Sequence, residues 1–129
     1  MQSVSDSSTM SKVESYLDDA ISRESSIYSA AVMTADGFPL IVLMGKGEVE
    51  KLELAAAIAS LGALSEQTAS QLKIGKYKDL MLRCGRGYLL VRRISEANVL
   101  AILADRNAPL GAISLVIDSM TKRLKGLLK

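Results

Sequence analysis

Two segments, Leu40-Ile41-Val42-Leu43-Met44 and Val99-Leu100-Ala101-Ile102-Leu103-Ala104, are apolar at every successive position. Neighbouring side chains of a strand point to opposite faces, so such a run is buried only where both faces of its sheet are covered. The rest of the chain has to supply that cover. Ser11 and Glu14 have the capping-box spacing, and Val13, Leu17, Ala20 and Ile21 then share a face, which predicts a first helix from Ser11 to about Glu24. Ile27 to Thr34 reads as an alanine-rich strand. Asp36-Gly37 offers positive-φ turn chemistry, and Pro39 limits pairing at the start of the next strand. From about Val49 to Leu72 the pattern is helical and free of proline. Three strands follow through hairpin-sized links: Tyr77 to Arg83, Tyr88 to Ile94 and Val99 to Ala104. Pro109 stands where a first-turn proline belongs, and Leu110, Ile113, Ile117, Met120, Leu124 and Leu127 recur at threes and fours down a closing helix.

The order is therefore helix, two strands, helix, three strands, helix, an α/β chain in the α+β sandwich sense. Three helices shared between two faces leave one face with a single helix, about 10 Å wide against five strands about 4.8 Å apart. A partner chain is the natural remedy. The middle helix has two faces: Leu54, Ile58, Leu61, Leu64 and Leu72 make a bulky stripe, while Ala55, Ala59, Gly62, Ala63, Glu66 and Ala69 make a mostly small one. Small side chains let another backbone approach closely, either within the chain or from a twin subunit in an isologous homodimer.

At 129 residues the chain has the length of one domain. It contains no His, no Trp and one cysteine, Cys84, so imidazole bases, catalytic triads and His-containing or four-cysteine metal sites cannot be built from it. No enzyme activity, cofactor or metal is expected. Phe38, Tyr16, Tyr28, Tyr77 and Tyr88 are too few to stack single-stranded nucleic acid well, and no nucleic-acid partner is expected. Gly85-Arg86-Gly87 lacks the third glycine of a dinucleotide fingerprint and joins two strands, and Gly75-Lys76 lacks the phosphate-loop spacing. Both read as turns or connections. Cys84 has no base and reads as an incidental thiol compatible with a reducing, cytoplasmic setting. The polar leader, residues 1–9, carries no apolar core, and Leu54 to Leu64 is too short to span a bilayer, so neither a signal peptide nor membrane insertion is expected. The domain itself is assigned to residues 10–129.

Charge is unevenly spread. Residues 1–50 hold 3 basic and 8 acidic side chains, whereas residues 51–129 hold 13 and 6. Lys122, Arg123, Lys125 and Lys129 complement a helix dipole, and the remainder form a solvated face or meet an anionic partner. Arg92 and Arg93, adjacent in a strand, point to opposite faces and cannot jointly grip one phosphate.

Four local sequences in this order carry a family resemblance: Ala30-Ala31-Val32-Met33-Thr34-Ala35-Asp36-Gly37-Phe38-Pro39-Leu40; the alanine-rich middle helix; Gly85-Arg86-Gly87-Tyr88-Leu89-Leu90-Val91; and Leu100 to Asp105 followed by Ala108-Pro109-Leu110-Gly111. From about Val13 to Leu128 the chain resembles the roadblock family of dynein light chain-like domains. The resemblance implies a profilin-like roadblock fold, a five-stranded antiparallel sheet between one helix and two. It also implies dimers in which middle helices and third strands pair into a ten-stranded sheet, which adds Tyr77, Leu80 and Leu82 to the interface expected at Ala55, Ala59, Gly62, Ala63, Glu66 and Ala69. Members bind Ras-like small GTPases as regulators or scaffolds, and bacterial ones that accelerate GTP hydrolysis do so without an arginine finger. The implied role is thus a non-catalytic homodimeric regulator of a small GTPase, with Glu53, Ser60, Gln67 and Lys46 as expected contacts. The alternative is a structural adaptor light chain that dimerises a larger complex regardless of nucleotide.

Overall fold

The computed structural model describes residues 7–45 and 49–128. The elements are α1 (Ser7–Arg23), β1 (Ile27–Thr34), β2 (Pro39–Met44), α2 (Lys51–Leu72), β3 (Asp79–Arg83), β4 (Gly87–Arg93), β5 (Asn98–Asp105) and α3 (Leu110–Leu127). The five strands form one sheet in the order β2-β1-β5-β4-β3, with every neighbouring pair antiparallel. β1 and β5 are the most continuously buried strands, and pairing such as Val32 with Leu100 puts them side by side near the centre. There both of their faces are covered.

The two faces belong to two separate cores. On one, Ala30, Val32, Leu90, Leu100 and Ile102 pack beneath α1 and α3, through Val13, Leu17, Ile113, Ile117 and Leu124. On the other, Ala31, Met33, Leu89, Val91, Val99 and Ala101 pack beneath α2, through Leu54, Ala55 and Ile58. Alternate residues of each strand feed opposite cores, as the pleat requires. The middle helix is thus the solitary one.

Turn chemistry fixes the first hairpin. Gly37 adopts φ 108°, where a Cβ would be strained, and the Thr34 hydroxyl donates to the Asp36 carboxylate at 2.6 Å. The Phe38 N–H donates back to the Thr34 hydroxyl at 2.8 Å, which closes the turn. At the other end of β1 the Tyr28 hydroxyl donates to Asp105 at 2.8 Å, tying the start of β1 to the end of β5. That bond, helped by the Asn107 N–H, holds the Asp105 carboxyl below the usual carboxylate range, and it raises Tyr28 above the ordinary phenol value. The stabilisation is present at neutral pH and is lost as pH falls through the depressed value. In Tyr28→Phe the Asp105 pKa should move up towards its ordinary value, as read by carboxyl NMR titration; an unmoved pKa would remove the hydroxyl as its cause.

Three of the departures from the expected element boundaries have a clear physical cause. α1 begins at Ser7, four residues before Ser11, because the half-buried Met10 extends the Val13-Leu17-Ala20 stripe by a turn. Ser11 and Glu14 therefore lie inside the helix. β3 begins at Asp79, since Tyr77 turns away to pack on α2. Pro109 is the residue before α3, in extended conformation, one position earlier than a first-turn proline.

Candidate functional site

α2 is stopped at each end by its own backbone chemistry. At its start the Glu53 carboxylate accepts the Glu50 N–H at 3.2 Å, and at its end Lys73 takes a left-handed conformation, φ 58°. The helix inward face follows Leu54, Ala55, Ile58 and Ala69, all buried. Leu64 is six residues beyond Ile58, about 240° further round, and so leaves that face. It is 59% exposed, and Leu52 is 79% exposed. The bulky stripe is therefore a buried face only in its first half: Leu64 turns outward, and Leu72, in line with Leu54, is nonetheless exposed.

The expected interface residues divide accordingly. Ala55 and Ala69 lie in the chain's own core, and Ala59 is half-buried against the first hairpin, with its methyl 3.0 Å from where a Cβ on Gly37 would lie. Gly62 faces the Tyr77 hydroxyl, which would be 3.2 Å from an added Cβ. Glu66 pairs with Arg93. Arg93 also donates to the Tyr77 carbonyl at 3.1 Å and lies 4.8 Å from the Tyr77 ring centroid. Much of the small-residue stripe thus seats α2 on its own sheet. Ala63 alone of the set is exposed on α2, and Leu52 joins it as an outward residue that the stripes did not single out. Glu53, Ser60 and Gln67 are exposed as well, whereas Lys46 lies outside the described residues.

β3 is an edge strand that α2 covers only in part, with Leu80 half-buried against the core beneath the helix. Leu80 and Leu82 pair with Val91 and Leu89, whose side chains point to the α2 face, and Leu82 remains 47% exposed. Between β3 and the second half of α2 runs a groove of about 330 Å³, lined by Leu64, Thr68, Ile74, Tyr77 and Leu80. An unpaired edge next to an apolar strip is a template for adding a strand and a helix together. On the opposite face Arg92 lies between Asp79, at 3.9 Å, and Asp118. The two adjacent arginines therefore serve opposite faces, and both are paired.

Among the described residues no group of three or more His, Cys, Asp or Glu could hold a metal ion, and no helix is long and apolar enough to cross a membrane. Cys84 is an exposed thiol beside the β3–β4 turn, which the Cys84 N–H closes on the Gly87 carbonyl at 2.9 Å.

A family model described as Roadblock/LC7 domain matches residues 15–104. The chain belongs to the Roadblock/LC7 family. This roadblock domain is also similar to solved structures. One titled MglB with tetrameric arrangement has 20% identity and a TM-score of 0.82 over 92% of this chain and 89% of that one. A Roadblock/LC7 domain from Streptomyces avermitilis has 17% identity and a TM-score of 0.75 over 89% and 96%. Profilin IA of Acanthamoeba castellanii has 14% identity and a TM-score of 0.59 over 88% and 96%, in keeping with the profilin-like architecture. No curated protein matches the chain in sequence. The family match and the solved structures thus agree on the roadblock fold.

Proposed function

We propose that this roadblock domain is a non-catalytic, cytoplasmic homodimer that binds a Ras-like small GTPase and modulates its nucleotide cycle or localisation. The observation that carries the reading is the uncovered strip formed by Ala63 and Leu64 of α2 with Leu80 and Leu82 of the free β3 edge. In the proposed dimer the outer faces of two α2 helices meet and two β3 edges pair antiparallel about a two-fold axis. Membership of the Roadblock/LC7 family and the tetrameric arrangement named for the MglB structure support self-association. β3 suits edge pairing better than β2, whose first residue, Pro39, lacks the N–H a ladder needs.

The GTPase would meet α2 along its exposed polar positions, Glu53, Ser60 and Gln67, with Lys46 in the adjoining connection. The chain offers no general base from histidine, so any change in hydrolysis would come from reorganising the GTPase's own groups. Pull-down with small GTPases of the same cell, each loaded with GDP or a GTP analogue, is expected to recover at least one with a preference for one nucleotide state. Recovery that ignores nucleotide would favour the adaptor role, and failure with every candidate in both states would refute GTPase binding.

A further inference from the structure

On the face of the sheet opposite α2, a groove of about 540 Å³ runs between α3 and the start of β3. Lys122 and Lys125 line it from α3, and Lys78 lines it from the residue before β3. All three lysines are exposed, and none pairs with an acid among the described residues. The two acids of the groove, Asp79 and Asp118, already flank Arg92, whose side chain is 27% exposed and forms part of the floor. The lysines are therefore surplus charge. Helix-dipole matching accounts for a cation in the last turn of α3, Lys125, but not for Lys78, which lies on no helix.

We propose that this groove binds an acidic peptide segment of a partner protein, its carboxylates meeting Lys78, Lys122 and Lys125. The form of the ligand follows from the spacing and signs of the lining. Lys122 and Lys125 stand three residues apart on one helix, about 5–6 Å between Cβ atoms, and Lys78 is separate from both. Compact point charges spread in this way suit carboxylates carried on successive side chains. The planar fork of Arg92, which would take a phosphate bidentately, is already held by two carboxylates. A phosphate drawn to the floor would meet the like charge of Asp79 and Asp118. A peptide brings N–H donors as well as acids, and those two carboxylates can accept them. A flat bilayer would reach the lysines at the rim but not the floor. The groove shares no side chain with the expected dimer strip or GTPase contacts, and pairing of β3 edges uses backbone groups in the plane of the sheet. Peptide binding and the proposed function can therefore fail separately.

Amide NMR titration of the full chain at pH 7 with acetylated, amidated hexaglutamate tests the site, with hexaglutamine as the uncharged control. Saturable shifts are expected at Lys78, Ile94 and Lys122 with hexaglutamate, weakening as salt rises, and none with hexaglutamine. Lys78→Gln and Lys122→Gln should each weaken binding about two- to fivefold, and the triple variant that adds Lys125→Gln about tenfold or more. Lys12→Gln removes the same charge from an exposed position of α1 and should change affinity by less than about twofold. No saturable shifts, or equal losses from Lys12→Gln and Lys122→Gln, would overturn the groove as the site. Tripolyphosphate binding there more tightly than hexaglutamate would overturn the peptide in favour of a phosphate ligand. Pelleting with phosphatidylserine vesicles that the triple variant abolishes, with no hexaglutamate binding, would overturn it in favour of a membrane surface. The hexaglutamine and tripolyphosphate comparisons decide on the parent chain even if a variant fails to fold.

Discussion

Leu100→Ala is expected to lower the free energy of unfolding by about 2–5 kcal/mol, the range for removing a large aliphatic side chain from a packed core. Leu100 is fully buried in β5, flanked by Val32 of β1 and by β4, and its side chain joins the core beneath α1 and α3. Two antiparallel neighbours fix its backbone, so the surroundings cannot easily collapse into the space left behind. Leu115→Ala provides the contrast. Leu115 is 72% exposed on α3, and its loss should change stability by no more than about 0.5 kcal/mol. Denaturant unfolding of both variants at equal protomer concentration would measure the difference, since association adds to apparent stability by mass action. Equal effects at the two positions would contradict the assignment of the core.

Leu64→Glu is expected to leave the fold intact and to weaken self-association by roughly 10²-fold or more. Two costs, on the order of 3 kcal/mol together, combine: loss of apolar contact across the proposed helix pair, and desolvation of a polar or charged group there. In the isolated chain Leu64 is already solvent-facing, so folding should tolerate the change. A charge at Ala59 would not separate the two effects, because the Ala59 methyl packs against the chain's own Gly37. Far-UV circular dichroism with sedimentation velocity reads fold and association in the same sample. A folded Leu64→Glu that associates as tightly as the parent would exclude this end of α2 from the interface.

The element order was legible in the sequence, because it rests on long apolar patterns and on two strong turn signals, Asp36-Gly37 and Gly85-Arg86-Gly87, whereas the residues left open which helix stands alone on its face, and the antiparallel sheet between one helix and two was implied by the family resemblance. The capping-box spacing at Ser11 misled because a half-buried Met10 carries α1 one turn further, and packing outweighs a local cap. α2 was harder. Its apolar residues occur all round, so two stripes could be drawn and neither is wholly inward. Carrying the 3.6-residue period strictly from Leu54 through Ile58 leads to Ala69 and away from Leu64, and that arithmetic would have found the outward strip. Small residues proved ambiguous for a physical reason: Ala55, Ala59 and Gly62 allow close approach, and the first partner they meet is the chain's own sheet, turn and Tyr77.

Whether one chain can cover its own sheet is the deciding question. Sedimentation equilibrium of the full chain at micromolar concentration tests this directly. The predicted result is a molar mass of twice 13.8 kDa, falling towards 13.8 kDa in Leu64→Glu; a parent chain that stays at 13.8 kDa as concentration rises would contradict the account.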